Sequence, residues 1–172
     1  MGELKSTDRK ILFELMKNSK RSDRELSKII GVSQPTVTRR RAVLEKELIQ
    51  TYTIIPKWTE LGYNICAITL VKVRVGSAVE VRYNEVRKRG AEWLMDQPNV
   101  LMAGGCRGMG VDSFMISMHK TYADFDEFMN SCRLRLGDLL EIVQSIIVNL
   151  AGNELLKPFN PLYLAQGETK LT

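Results

Sequence analysis

The stretch from Ser22 to Pro35 constrains the fold of this 172-residue chain more than any other. Ser22-Asp23-Arg24-Glu25 has the form of a capping box: the serine hydroxyl accepts from a first-turn amide, and the glutamate reaches back to the serine amide. Leu26, Ile29 and Ile30 then supply an apolar face, and Gly31 ends the helix, because glycine enters the left-handed region without steric cost. Ser33 offers a second N-cap, with Pro35 tolerated in the first turn of a helix predicted to run to about residue 48. Upstream, Ile11, Leu12, Leu15 and Met16 repeat at helical spacing over residues 8–17. Three short helices, with a tight glycine turn between the second and the third, make a helix-turn-helix.

The third helix has a distinctive surface. Ser33-Gln34-Pro35-Thr36-Val37-Thr38-Arg39-Arg40-Arg41 gathers hydroxyl, amide and guanidinium groups, which contact phosphates and base edges. At 100° per residue, Val37, Leu44 and Leu48 share one face, while Thr38, Arg39 and Ala42 point away from it and Gln34 lies at the margin. Arg41 falls on the core-facing side, where it either buries its stem and extends its head to solvent or marks a local departure in packing. Charge agrees with a polyanion-binding first third. Residues 1–62 hold 13 Lys/Arg against 8 Asp/Glu, whereas the remainder is balanced at 12 and 12.

Composition excludes several classes. Apolar residues make up 44% and charged residues 26%, a globular balance. No apolar run approaches the roughly 18 residues of a membrane helix, and no leader pattern opens the chain, so a cytoplasmic location is expected. Cys66, Cys106 and Cys132 are far apart without a CxxC pair, and His119 is the sole histidine, so no metal centre, disulfide framework or cofactor is expected. No residue set supports catalysis: nothing in the pattern orients His119, which is expected as an edge residue at the end of the third strand, toward a cysteine. The run Arg87-Lys88-Arg89 is expected to be a solvated helix face. The glycine-rich Gly104-Gly105-Cys106-Arg107-Gly108-Met109-Gly110 leads into a strand rather than a helix, which argues against a dinucleotide loop.

The predicted elements place a boundary near residue 62. Residues 49–55 look strand-like and would serve as a wing and linker to a second domain over 63–151, with an extension at 152–172. In the second domain, strands are predicted at 65–75, 100–106, 111–118 and 142–150, and helices at 77–95 and 122–136. The order β-α-β-β-α-β is that of a ferredoxin-like domain, giving an α+β chain: a winged helix-turn-helix followed by a split βαβ unit. Its antiparallel sheet would carry both helices on one face and leave the other free for a partner.

With these features the chain resembles the Lrp/AsnC, or feast/famine, transcription regulators. The matching residues are Leu4, Asp8, Ile11 and Leu12; Arg21 and Ser22 at the entry to the second helix; Glu25-Leu26-Ser27; Gly31-Val32-Ser33; Val37, Arg39 and Arg40; and Leu44-Glu45. The resemblance spans about residues 4–151. It implies a homodimer with C-terminal sheets face to face, dimers joined into tetramers or octamers, and an amino acid bound between sensing domains. The family motif of a glycine, two residues and an aspartate is matched at Asp112, while Met109 stands where its glycine is expected.

The expected function is a ligand-responsive, sequence-specific DNA-binding regulator; the alternative is an architectural DNA-binding protein of the same fold. Arg39 and Gln34 are expected to contact bases, Ser33, Thr36 and Arg40 phosphates, with Pro35 and Thr38 completing the surface and Lys5, Arg9 and Lys10 adding electrostatic contacts. An amino acid or related metabolite is expected near Arg107, Gly108, Gly110, Asp112 and Ser113, where opposed charges suit a zwitterion. An Arg107–Asp112 salt bridge between subunits is the competing role for this pair.

Overall fold

In the computed structural model, residues 4–74, 79–152 and 155–168 are described, apart from the side chains of 79–83 and 168. The predicted starts and ends at residues 75 and 77, and the tail at 153–154 and 169–172, lie outside that set. The chain divides into two compact units, Met1–Ile55 with Pro158–Thr172, and Pro56–Lys157.

The first unit is built on α1 (Ser6–Lys17), α2 (Asp23–Ile30) and α3 (Gln34–Glu47). Their periodic apolar residues meet in one core of Ile11, Leu15, Leu26, Val37 and Leu44. Full burial of each such aliphatic side chain stabilises by roughly 1.5–3 kcal/mol. Both arms of the Ser22–Glu25 capping box form, and Gly31 takes φ 80° at the C-cap. Ile29, expected in the buried face, is half-exposed. Leu48 lies beyond the end of α3 and is likewise partly exposed.

Two features differ from expectation. Residues 49–57 form no strand: a β-prone segment needs a neighbouring ladder, and none pairs with it among the described residues. Ile54 is left 78% exposed. At the other end of the chain, α6 (Leu162–Glu168) belongs to this unit, packs against α1 and buries Ala165 completely.

The second unit has β1 (Ile65–Val73), α4 (Val79–Met95), β2 (Val100–Gly108), β3 (Val111–His119), α5 (Tyr122–Leu136) and β4 (Leu140–Asn149). The sheet order is β2-β3-β1-β4, with every pair antiparallel, which confirms the split βαβ arrangement. One face of the sheet packs Ala67, Val71 and Met115 against Trp93 of α4 and Phe125, Phe128, Met129, Cys132 and Leu136 of α5. The other face carries Ile68 between Ile116 and Ile146, Leu70 beside Phe114, and Cys66 between Met118 and Val148. Directly paired residues share a face, so this open surface is largely apolar.

Candidate functional site

Ser33 caps α3: its hydroxyl accepts the Thr36 amide at 3.4 Å and lies 2.8 Å from the Thr36 hydroxyl. With Pro35 in the first turn, the N-terminus of α3 is rigidly defined. Val37 and Leu44 pin the opposite face in the core. Gln34, Pro35, Thr38, Arg39 and Ala42 are therefore exposed, as are Lys5, Arg9 and Lys10 on the neighbouring α1.

The three consecutive arginines have three different roles. Arg39 is exposed, and among the described residues nothing pairs with it. Arg40, expected on phosphate, instead forks onto the buried carboxylate of Asp8 through Nε and Nη2. The hydrogen bond from Arg40 holds the Asp8 carboxyl below its ordinary value, with burial opposing and the Arg40 charge reinforcing. Arg40 is thus drawn toward α1 by a buried anion. Arg41 satisfies its core-side position by bonding the Arg21 carbonyl at 3.1 Å, Asp23 at 3.2 Å and Glu45 at 2.8 Å, beside the Tyr52 ring. Burial acts to lower the Arg41 pKa, but hydrogen bonds to Glu45, Tyr52 and Asp23 outweigh it and raise the value.

Thr38, expected in the DNA surface, donates its hydroxyl to Asp23 at 2.6 Å. That bond ties α3 to the start of α2, so Thr38 acts within the helix-turn-helix. Asp8 is the partner that sequence reasoning missed. It had a signal: Asp8, Ile11 and Leu15 lie at i, i+3 and i+7, so a carboxylate in an apolar stripe demanded a buried cation.

In the second unit, Arg107, Gly108, Gly110, Asp112 and Ser113 all line one cavity of about 1060 Å³. What looked like a glycine-rich loop is mostly strand: β2 continues to Gly108, and only Met109 and Gly110 turn the chain, at φ 53° and 70°. Positive φ at both central residues is the signature of a type I′ hairpin, which normally selects Asn or Gly. Met109 pays a steric cost there and leaves its side chain 92% exposed. One oxygen of Asp112 accepts the Val73 amide at 2.8 Å, beside the bulge at Lys72/Val73. Asp112 therefore fixes the end of β1 as well as facing the cavity.

His119, expected as an edge residue at the end of the third strand, lies at the end of an interior strand and is buried. It sits 2.8 Å from the Ser117 hydroxyl and packs on Phe125 and Phe128. Burial lowers its pKa, with the Asp124 charge opposing, so it is a neutral core residue at pH 7. Burial also raises the thiol of Cys132, to about 11. Arg87 and Lys88 are solvated, whereas Arg89 bonds both oxygens of Asp138 and the Arg135 carbonyl. Among the described residues, no group of three or more His, Cys, Asp and Glu could hold a metal, and no helix is long and apolar enough to cross a membrane.

Comparison with known proteins gives these features a context. Residues 4–45 match the AsnC-type helix-turn-helix domain. The HTH-type transcriptional regulator FL11 of Pyrococcus furiosus is 38% identical over 81 residues, 46% of this chain and 54% of FL11. The alignment thus spans only about half the length of that relative. An uncharacterized HTH-type transcriptional regulator of the same organism is 30% identical over 127 residues, covering 73% of this chain and 79% of its own. A transcriptional regulator of Neisseria meningitidis, solved as a complex with L-Met, superposes with a TM-score of 0.76 at 21% identity, over 92% of this chain and 96% of that one. AsnC of E. coli gives a TM-score of 0.73 at 19% identity, over 92% and 99%. At such identities the structural likeness establishes the fold.

Proposed function

Since this chain belongs to the Lrp/AsnC family of helix-turn-helix transcription regulators, we propose that it is a sequence-specific DNA-binding regulator whose binding responds to an amino acid or related metabolite. The observation that carries this reading is the division of labour in α3: Arg40, Arg41 and Thr38 are engaged within the unit, while Gln34 and Arg39 are left exposed on a capped, rigid helix. That is the arrangement a major-groove helix needs, because side chains held in position lose little freedom on contact with bases. Arg39 pairs with guanine and Gln34 with adenine; Ser33 and Thr36 contact phosphate, and Pro35 fits against the backbone.

A single recognition helix covers one half-site. The apolar open face of the sheet, centred on Ile68, Ile116 and Ile146, supports a homodimer closed face to face, and dimers of dimers beyond it. Two recognition helices then meet half-sites about 10 bp apart, or a multiple of that. The cavity with Arg107 and Asp112 supports the effector role, and the relative solved with L-Met shows an amino acid on this fold.

The test is fluorescence anisotropy of a labelled duplex from upstream of the protein's own gene against a scrambled duplex, at two salt concentrations, with and without mixed amino acids. Preference for the upstream duplex, shifted by the mixture, supports a ligand-responsive regulator. Tight, salt-sensitive binding to both duplexes without a shift replaces it with an architectural protein.

A further inference from the structure

The chain passes between its two units twice, at Ile55–Pro56 and again at Lys157–Pro158. A proline stands at each crossing, fixing its own φ and restricting the residue before it, so neither crossing is a free swivel. Both connections join the second unit at the same end of its sheet, where Ile65 of β1 pairs with Asn149 of β4, and one residue fastens them there. The Asn64 amide donates to the His119 carbonyl at 3.1 Å, and the Asn64 carbonyl accepts the Leu150 amide at 2.8 Å. The Asn64 side chain adds bonds to the Gly62 and Lys120 carbonyls, at 3.3 and 3.2 Å. On the first unit, the connections attach at two different places. The earlier one runs on from α3, where the Leu48 and Ile49 amides both bond the Leu44 carbonyl. The later one ends in α6, which lies against α1 as extensively as α2 or α3 does. The start of α6 is encoded locally: the Asn160 side chain accepts the Leu162 amide at 2.9 Å, with Pro161 between them. Yet α6 has only 7 residues, too few to persist alone in water, so it exists by docking on α1, with Ala165 as its fully buried anchor.

Resting on the sequence-specific DNA binding proposed above, we infer that the C-terminal segment ending in α6 is a strap that determines which half-site spacing the protein accepts. A body joined by one connection turns about it, whereas a body joined at two separated points does not. With α6 docked, the α3 helices of two copies are presented at a set separation and phase, and only half-sites that match both are engaged together. With the strap slack, each DNA-binding unit hangs on the residues that follow α3 and reaches half-sites out of phase. Docking on α1 suits this role. Because α1 holds α3 through the Asp8–Arg40 pair, a constraint placed on α1 reaches the recognition helix. The strap thus governs spacing without contacting a base.

The test is anisotropy of the full chain on the upstream duplex and on one with about five base pairs, half a helical turn, added between its half-sites. Engaging both half-sites strengthens binding on the order of a hundredfold over engaging one, and the wrong phase forfeits that gain, so wild type should bind the lengthened duplex about a hundredfold more weakly. Inserting about six glycine and serine residues between Lys157 and Pro158 leaves α6 able to dock but adds roughly 13 Å of slack. The penalty should then shrink to less than about tenfold, with the melting temperature unchanged. Ala165→Arg undocks α6 instead of lengthening the strap and should shrink the penalty likewise, so the conclusion survives if the insertion misfolds; thermal melting checks both. A penalty that stays near a hundredfold in a folded variant of either kind overturns the inference. Equal wild-type binding to the two spacings also overturns it, and preference for the upstream over the scrambled duplex then leaves the regulator reading standing. Equal binding to the upstream and scrambled duplexes overturns both.

Discussion

Adjacent arginines on one helix offer a sharp test of how α3 is used. Arg39 is exposed and unpaired among the described residues, whereas Arg40 is forked onto Asp8, a carboxylate only 4% exposed. Arg39→Ala removes a surface side chain, so stability should change by less than about 0.5 kcal/mol. Its loss should nevertheless cost about 1–3 kcal/mol of discrimination, roughly 5- to 150-fold between the preferred duplex and one with the contacted base replaced. Arg40→Ala should behave in the opposite way. It leaves a buried carboxylate without its main partner, so the first unit should melt earlier. Were Arg40 a phosphate contact, the slope of log affinity against log salt would become shallower by about 0.9. The Asp8 pair predicts a slope change well below that. Replacing both partners with apolar residues, Asp8→Leu with Arg40→Met, should restore much of the melting temperature, because no buried charge is orphaned. The assays are calorimetric melting and anisotropy over a salt series. An Arg40→Ala variant that melts like wild type and loses one unit of salt slope would refute this assignment.

Three further outcomes are expected. Met109→Gly relieves a left-handed backbone cost of about 1–2 kcal/mol and incurs about 0.5–1 kcal/mol of glycine entropy, so the second unit should gain roughly 0.5–1 kcal/mol in denaturant melts; a loss would show that the exposed side chain contributes contacts in the assembly. Ala165→Arg forces a long side chain into a fully buried site on α6 and should destabilise the first unit by about 1–3 kcal/mol or more; an unchanged melt would mean that α6 does not hold α1 in solution. The Asp8 carboxyl sits below its ordinary 3.8 when folded. Its contribution is therefore present above pH 3.8 and lost as pH falls through the folded value. Asp8→Asn should flatten the acid limb of the melting curve below about pH 4, and an unaltered acid limb would remove Asp8 from the explanation.

How much of this was visible in the sequence depends on whether the signal was local. The capping box at Ser22 and Glu25, the Gly31 C-cap and the Ser33 N-cap each involve groups within a few residues of one another, and each forms as read. The helix at Tyr122–Leu136 and the strand order of the second unit follow from periodicity, which a buried face imposes on any sequence. What escaped was set by partners distant in the chain. Arg40 could not be told from Arg39 without Asp8, which is 32 positions away. The segment over residues 49–55 has strand composition, but a strand exists only by pairing, and composition names no partner. His119 ends an alternating strand in sequence, yet β3 lies inside the sheet, so its end is covered by Phe125 and Phe128 of α5.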